Sequence, residues 1–208
     1  MVVIDEIRSV RSAVCIRLDN GSSFWLRNDD LVGAPFSVGA EWEESAFRQA
    51  VLLRQYPRAL NLAVAMLACR PCSRGEILSR LKARRFTDET AELVVCKLEK
   101  EKLLNDEEFC EQWIRFRIAR GYGPAVIRRE LKMKGISPDL MESVFSRIDF
   151  SDEEDHALTL ARKAWARAKE GEDIRKTRQR VVSSLVRKGF SWEDAGRACS
   201  LAEKEFRT

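Results

Sequence analysis

The feature that most constrains this chain is that it repeats itself. The stretch "ILSRLKARRFTDETAELVVCKL" (77–98) lies over "IRRELKMKGISPDLMESVFSRI" (127–148) at a constant offset of 50, without a gap. Leu81 falls on Leu131, Lys82 on Lys132, Phe86 on Ile136, Thr87 on Ser137, Val94 on Val144 and Leu98 on Ile148. A third copy, "VVSSLVRKGFSWEDAGRACSLA" (181–202), follows at an offset of 54, with Leu185, Lys188-Gly189-Phe190, Ser191 and Ala198 in the matching places. A short unit used three times buries its apolar face by stacking against its neighbours, which is the signature of an array.

Each copy reads as three short helices. In the middle one, Asn105 caps "NDEEF", whose acids sit in the first turn where the helix dipole favours them. Phe109, Trp113 and Phe116 follow at helical spacing and form its expected inner face. Gly121 ends that helix, and Gly123-Pro124 opens the next with proline in its permitted first-turn place. Ile127 and Leu131 point inward, Gly135 stops the helix, and Ser137-Pro138-Asp139 starts the third, with Leu140, Val144 and Ile148 inside. The first copy has the same punctuation: Ser73 and Glu76 form a capping box, and Thr87 caps again. The third uses Ser151 with Glu154, then Ser191. Gly121-Tyr122-Gly123-Pro124 is therefore chiefly a helix–helix turn. It lacks the third glycine and the preceding strand that a phosphate-binding loop needs.

The first 27 residues differ. "VVIDEIRSV" and "AVCIRL" are rich in β-formers, and Asn20-Gly21 before "SSFWL" is a strong hairpin signal because both residues tolerate positive φ. Asp29 to Trp42 reads as irregular connection. From about Glu43 the pattern is helical, with Phe47, Val51 and Leu52 on one side, until Pro57 breaks it. The expected protein is mainly α: three tandem three-helix repeats in an elongated curved array, preceded by a small N-terminal β-hairpin segment. The expected division is 1–56 for the hairpin and a connecting helix, 57–104, 105–150 and 151–208 for the repeats.

Charged residues make up 34 % of the 208-residue chain and aromatics only 8 %, which suits thin helical packing. No apolar run approaches the ~20 residues of a membrane span, and the start is not signal-like, so a cytoplasmic monomer is expected. Six cysteines are scattered over the chain, and only Cys69-Arg70-Pro71-Cys72 has suggestive spacing. A redox site would want a βαβ context, and a zinc site a second ligand pair, whereas His156 is the sole histidine. The alternative is two small residues at a helix end. No nucleophile elbow or acid–base set appears, so the expectation is a non-enzyme without metal or cofactor.

What remains is the basic second helix of each copy. It carries Arg80, Lys82, Arg84 and Arg85, then Arg128, Arg129, Lys132 and Lys134, then Arg178, Arg180, Arg187 and Lys188. Residues 57–104 hold 10 basic and 6 acidic residues, 105–150 hold 8 of each, 151–208 hold 13 and 11, and 1–56 hold 6 and 8. A solvated helical face explains most charge runs. Three equivalent helices side by side can also form a stripe that fits a phosphate backbone or an acidic protein surface.

The segments "LACRPCSRGEILSRLKARRFTDE" and "LLNDEEFCEQWIRFRIARGYGPAVIRRELKMKGIS", with the third basic copy, resemble the RecX family of bacterial regulators of the RecA recombinase. The likeness covers about 57–206 and is most specific in N-D-E-x-F, R-G-Y-G-P and I-x-x-x-L-x-x-K-G-I. It implies an elongated helical protein lying in the groove of the RecA–DNA filament and tuning its ATP hydrolysis and strand exchange. Carried to this chain, it implies contacts at Arg80, Lys82, Arg84, Arg85, Arg120, Tyr122, Arg128, Arg129, Lys132 and Lys134, with single- or double-stranded DNA as a supporting partner. The third copy departs from this pattern, because "AWARAKEGEDIRKTRQR" is long and lacks the Gly-Tyr-Gly-Pro turn. A stand-alone DNA-binding module is the competing reading. Trp113 and Phe116 are expected in the core.

Overall fold

A computed structural model describes residues 1–148, 153–167 and 173–207. They form two compact units, Met1–Asn105 and Asp106–Thr208.

The first unit begins with four antiparallel strands: β1 (Val2–Val10), β2 (Ala13–Leu18), β3 (Ser23–Arg27) and β4 (Glu41–Trp42), in the order β3-β2-β1-β4. Alternation along the strands buries Val2 and Ile4, Val14, Ile16 and Leu18, and Phe24 and Leu26 on one face. The β2–β3 turn uses Gly21 at φ +82°, as Asn-Gly predicts. The expected hairpin, β2 with β3, is thus one side of a larger sheet. Its fourth strand lies in the stretch expected to be irregular, where Glu41 and Trp42 pair with Val3 and Val2.

The expected break at Pro57 does not occur. Helix α1 runs unbroken from Glu44 to Cys69. Proline removes one donor and strains one turn, but Pro57 lies on the exposed side. The opposite side is a continuous buried row of Phe47, Val51, Gln55, Ala59 and Ala63. Phe47 and Val51 pack on the sheet, while Ala59 and Ala63 pack with α2 (Arg74–Ala83) and α3 (Asp88–Lys100). One helix therefore serves two cores, and packing on both sides of Pro57 keeps it continuous. The expected boundary at 56/57 falls inside that helix.

The second unit contains α4 (Asp106–Ala119), α5 (Pro124–Met133) and α6 (Pro138–Phe145), then α7 (Glu153–Trp165), α8 (Ile174–Arg187) and α9 (Trp192–Arg207). Phe109, Ile114, Ile127, Leu131, Val144 and Phe145 form one core of this unit, and Ala161, Val181, Leu185, Ala195 and Cys199 belong to another. Two inner faces are rotated from expectation. On α4 the fully buried residues are Cys110 and Ile114, with Phe109 nearly so; Trp113 is half-buried and Phe116 is exposed. On α6 the buried residues are Met141, Val144 and Phe145, with Leu140 and Ile148 at the margin.

The repeat is visible at the level of single hydrogen bonds. The middle helix of each copy ends when Leu81, Leu131 or Leu185 accepts from the N–H of Phe86, Ile136 or Phe190, at 3.2, 3.1 and 3.3 Å. This is the Schellman closure, which needs a left-handed residue just before the donor. Gly135 and Gly189 supply it with φ of +80° and +97°, and Arg85 takes the same place at φ +65°. The cap residues act as expected: Ser73 and Glu76 form a capping box, and Thr87, Ser137 and Ser191 accept from Thr90, Leu140 and Asp194. Ser151 lies outside the described residues.

Candidate functional site

The sequence offers ten side chains on α2, α4 and α5 and in the turns beside them, and the structure sorts them. In the first unit, Arg80 on α2 and Arg84 at its C-cap stand one turn apart, both exposed, with no side-chain partner among the described residues. Lys82 faces Asp88 at 3.1 Å. Arg85 lays its guanidinium 3.7 Å from the centre of the Trp25 ring on β3. That contact holds a non-glycine residue in a left-handed turn, which costs about 1–2 kcal/mol in a residue with a Cβ. It also ties the sheet to the first repeat.

In the second unit, Arg129 and Lys132 are exposed on α5 without a side-chain partner among the described residues. Arg128 grips Glu142 with both arms, at 2.9 and 3.2 Å, and covers the Phe145 ring at 4.0 Å. That grip holds the Glu142 carboxyl below the usual carboxylate range. Lys134 sits 4.0 Å over Trp113, and Arg120 stacks 4.2 Å over Phe116. Tyr122 is half-buried between Arg117 at 3.6 Å and Lys188 at 5.1 Å. The ten candidates are thus four open cations, Arg80, Arg84, Arg129 and Lys132, and six side chains engaged inside their own unit.

Sequence reasoning missed what the Gly-Tyr-Gly-Pro turn does beyond turning. Helix α5 has no side-chain N-cap. Its first donors are taken by the end of α8: the Gly123 N–H donates to Lys188 O at 2.8 Å and the Ala125 N–H to Gly189 O at 3.2 Å. The positive end of one helix dipole meets the negative end of another, and orphan donors of the first satisfy orphan acceptors of the second. These amides therefore already have partners, so no phosphate cradle exists at this turn. The only hint in the sequence was two glycines, at 123 and 189, one in each copy.

Cys69 is exposed at the end of α1, and Cys72 is buried with its thiol donating to Arg70 O at 3.4 Å. Among the described residues no three His, Cys, Asp or Glu side chains gather as metal ligands would. No helix among them is long and apolar enough to cross a membrane.

Two parts of the chain match family models: residues 105–144 match the second three-helix domain of RecX, and residues 152–199 match the third. The regulatory protein RecX of Bacillus velezensis is 31 % identical over 191 residues, spanning 91 % of this chain and 72 % of that protein. This chain belongs to the RecX family. RecX of Mycobacterium avium is 31 % identical over 64 % of this chain and 78 % of its own length. In fold, the chain resembles a crystal structure of regulatory protein RecX with a TM-score of 0.62 at 22 % identity, covering 98 % of this chain and all of the other. The RecX structure from Lactobacillus salivarius gives a TM-score of 0.63 over 72 % of this chain at 23 % identity. RecX models thus cover the α4–α6 repeat that carries Arg129 and Lys132, and the repeat after it.

Proposed function

We propose that this chain regulates the RecA recombinase by docking on the RecA–DNA filament, restraining its ATP hydrolysis and strand exchange without chemistry of its own. The observation that carries the reading is the pair of open cations on the middle helix of two successive repeats, Arg80 with Arg84 and Arg129 with Lys132, in a RecX-family chain. Each pair stands on, or at the C-cap of, a helix whose inner face is fixed by a fully buried leucine, Leu81 or Leu131. The charges are therefore presented by rigid backbone, which lowers the ordering cost of docking. Cations without internal partners keep their full attraction for phosphate or acidic protein. The regulator acts as a monomer in the cytoplasm, with filament protein as the main partner and DNA in support.

The deciding experiment is a titration of this protein into RecA on single-stranded DNA, reading ATP hydrolysis. Suppression at well below one molecule per RecA protomer is expected. No effect at any ratio refutes the proposal. The second reading, a stand-alone DNA-binding module, predicts tight DNA binding without RecA, with affinity falling steeply as salt rises.

A further inference from the structure

The second unit carries a row of aromatic rings on α4. Phe109, Trp113, Phe116 and Arg120 are spaced by four, three and four residues, which puts them in one row along α4 and just beyond its end. The row rises from core to surface: Phe109 is 6 % exposed, Trp113 half-buried and Phe116 45 % exposed. Successive rings touch, Phe109 on Trp113 with centroids 6.1 Å apart and Trp113 on Phe116 at 6.0 Å. Cations interleave with them: Lys134 over Trp113 at 4.0 Å, Arg117 over Trp113 at 5.8 Å and Arg120 over Phe116 at 4.2 Å. The Trp113 indole N–H donates to Glu130 at 3.1 Å, and Glu130 also holds Arg117, so the rings are fixed in place. Arg115, one residue before Phe116, is exposed and has no side-chain partner among the described residues.

From this ladder we infer a binding face for single-stranded nucleic acid on α4, with a base stacked on the exposed Phe116–Arg120 step and the backbone phosphates met by Arg115 and Lys134. A base presents a π-face whatever its identity, and aromatic rings backed by arginine are the usual platform for unpaired strands. A duplex hides its bases in the stack and cannot use such a step. The carboxylates of an acidic protein surface would be drawn to the cations but not to the electron-rich ring faces. The inference rests on DNA being a partner in the proposed function, and it narrows that partner to an unpaired strand at a named step.

The test uses the full chain without RecA and follows its binding to a fluorescent oligo-dT of roughly 20 nucleotides, longer than the footprint of one stacking site. Phe116→Ala is expected to weaken binding about tenfold, the low end of what one stacked base contributes. Phe116→Leu should lose as much, because it keeps the apolar bulk but not the ring, and Phe116→Trp should restore binding. Duplex of equal length should be unaffected, as should oligo-dT binding by Trp192→Ala, which removes a more exposed ring elsewhere. Wild-type-like binding by Phe116→Ala or Phe116→Leu overturns the inference, as does equal weakening for duplex. If Phe116→Ala loses only RecA suppression and keeps oligo-dT, the face is a protein contact and the inference fails. Because the titration contains no RecA, it stands apart from whether the chain regulates the recombinase at all.

Discussion

Gly123 and Gly189 meet backbone to backbone: a Cβ built on Gly123 would stand 2.5 Å from both the carbonyl carbon and the oxygen of Gly189, and one on Gly189 would stand 2.6 Å from the amide nitrogen of Val126. Neither obstacle is a side-chain tip that could swing away. Gly123→Ala is therefore expected to destabilise the second unit by about 1–3 kcal/mol, the usual range for overpacking a well-fitted contact. Gly189→Ala should cost at least as much, because its φ of +97° adds backbone strain. Gly196, inside α9, is the contrast, since a Cβ there meets nothing within 4 Å. Gly196→Ala should stabilise by about 0.5–1 kcal/mol through helix propensity alone. Urea unfolding of the three variants checks the signs, and a wild-type midpoint for Gly123→Ala would show that the joint yields.

The attachment of the sheet to the first repeat passes through one buried amide. Gln55 is fully buried, donates to Trp25 O at 2.8 Å and accepts from the Thr87 N–H at 2.9 Å. Gln55→Leu leaves a backbone acceptor and a backbone donor unsatisfied, at about 1–3 kcal/mol each. The same seam carries Arg85 on Trp25. Replacing Arg85 with alanine keeps the left-handed strain and loses the stack, whereas glycine loses the stack and the strain together. Arg85→Ala should therefore be less stable than Arg85→Gly by about 1 kcal/mol in thermal or urea unfolding. Equal stability would mean that the turn has relaxed.

Much of this was legible in the sequence, and the misses share a cause. The three-fold unit, its caps and its glycine stops are local patterns, and Leu81, Leu131 and Leu185 are buried where the repeat puts them. Pro57 was misread because the local rule that proline ends a helix was outweighed by cores on both sides of it. Phe116 was misread because a row of aromatics at helical spacing has the same pattern whether it faces a core or climbs out of one. Among the cations, helix position could not separate Arg128 from Arg129. The difference is Glu142, one helix away, which only the packed structure brings to Arg128.

That separation can be tested directly. The double reversal Arg129→Glu with Lys132→Glu removes two open cations and breaks no internal pair, so folding should match wild type. Regulation of RecA should weaken at least about tenfold, as expected when charge complementarity is reversed at a docking surface. Arg80→Glu with Arg84→Glu should behave alike. Arg128→Glu breaks an exposed ion pair with Glu142 and uncovers the Phe145 ring, and should affect regulation less than either double variant. Circular dichroism fixes the fold, and the ATPase titration reads the function. Full suppression by both folded double variants would remove the open cations from the docking surface.

The cysteines give a test of burial that needs no partner. Cys69 is exposed and lines an open recess with Leu62, Ala65 and Met66. Cys110 is fully buried, and burial, aided by the nearby Asp106 and Glu111 carboxylates, pushes its thiol up to about 11. Burial pushes Cys199 up as well. Thiolate is the reactive form, so at about pH 8 a thiol-specific reagent should label Cys69 first and leave Cys110 and Cys199 unmodified until the chain unfolds. Peptide mass mapping after a short pulse reads the order. Early label on Cys110 would mean that α4 does not pack as described, and the aromatic row it carries would lose its footing with it.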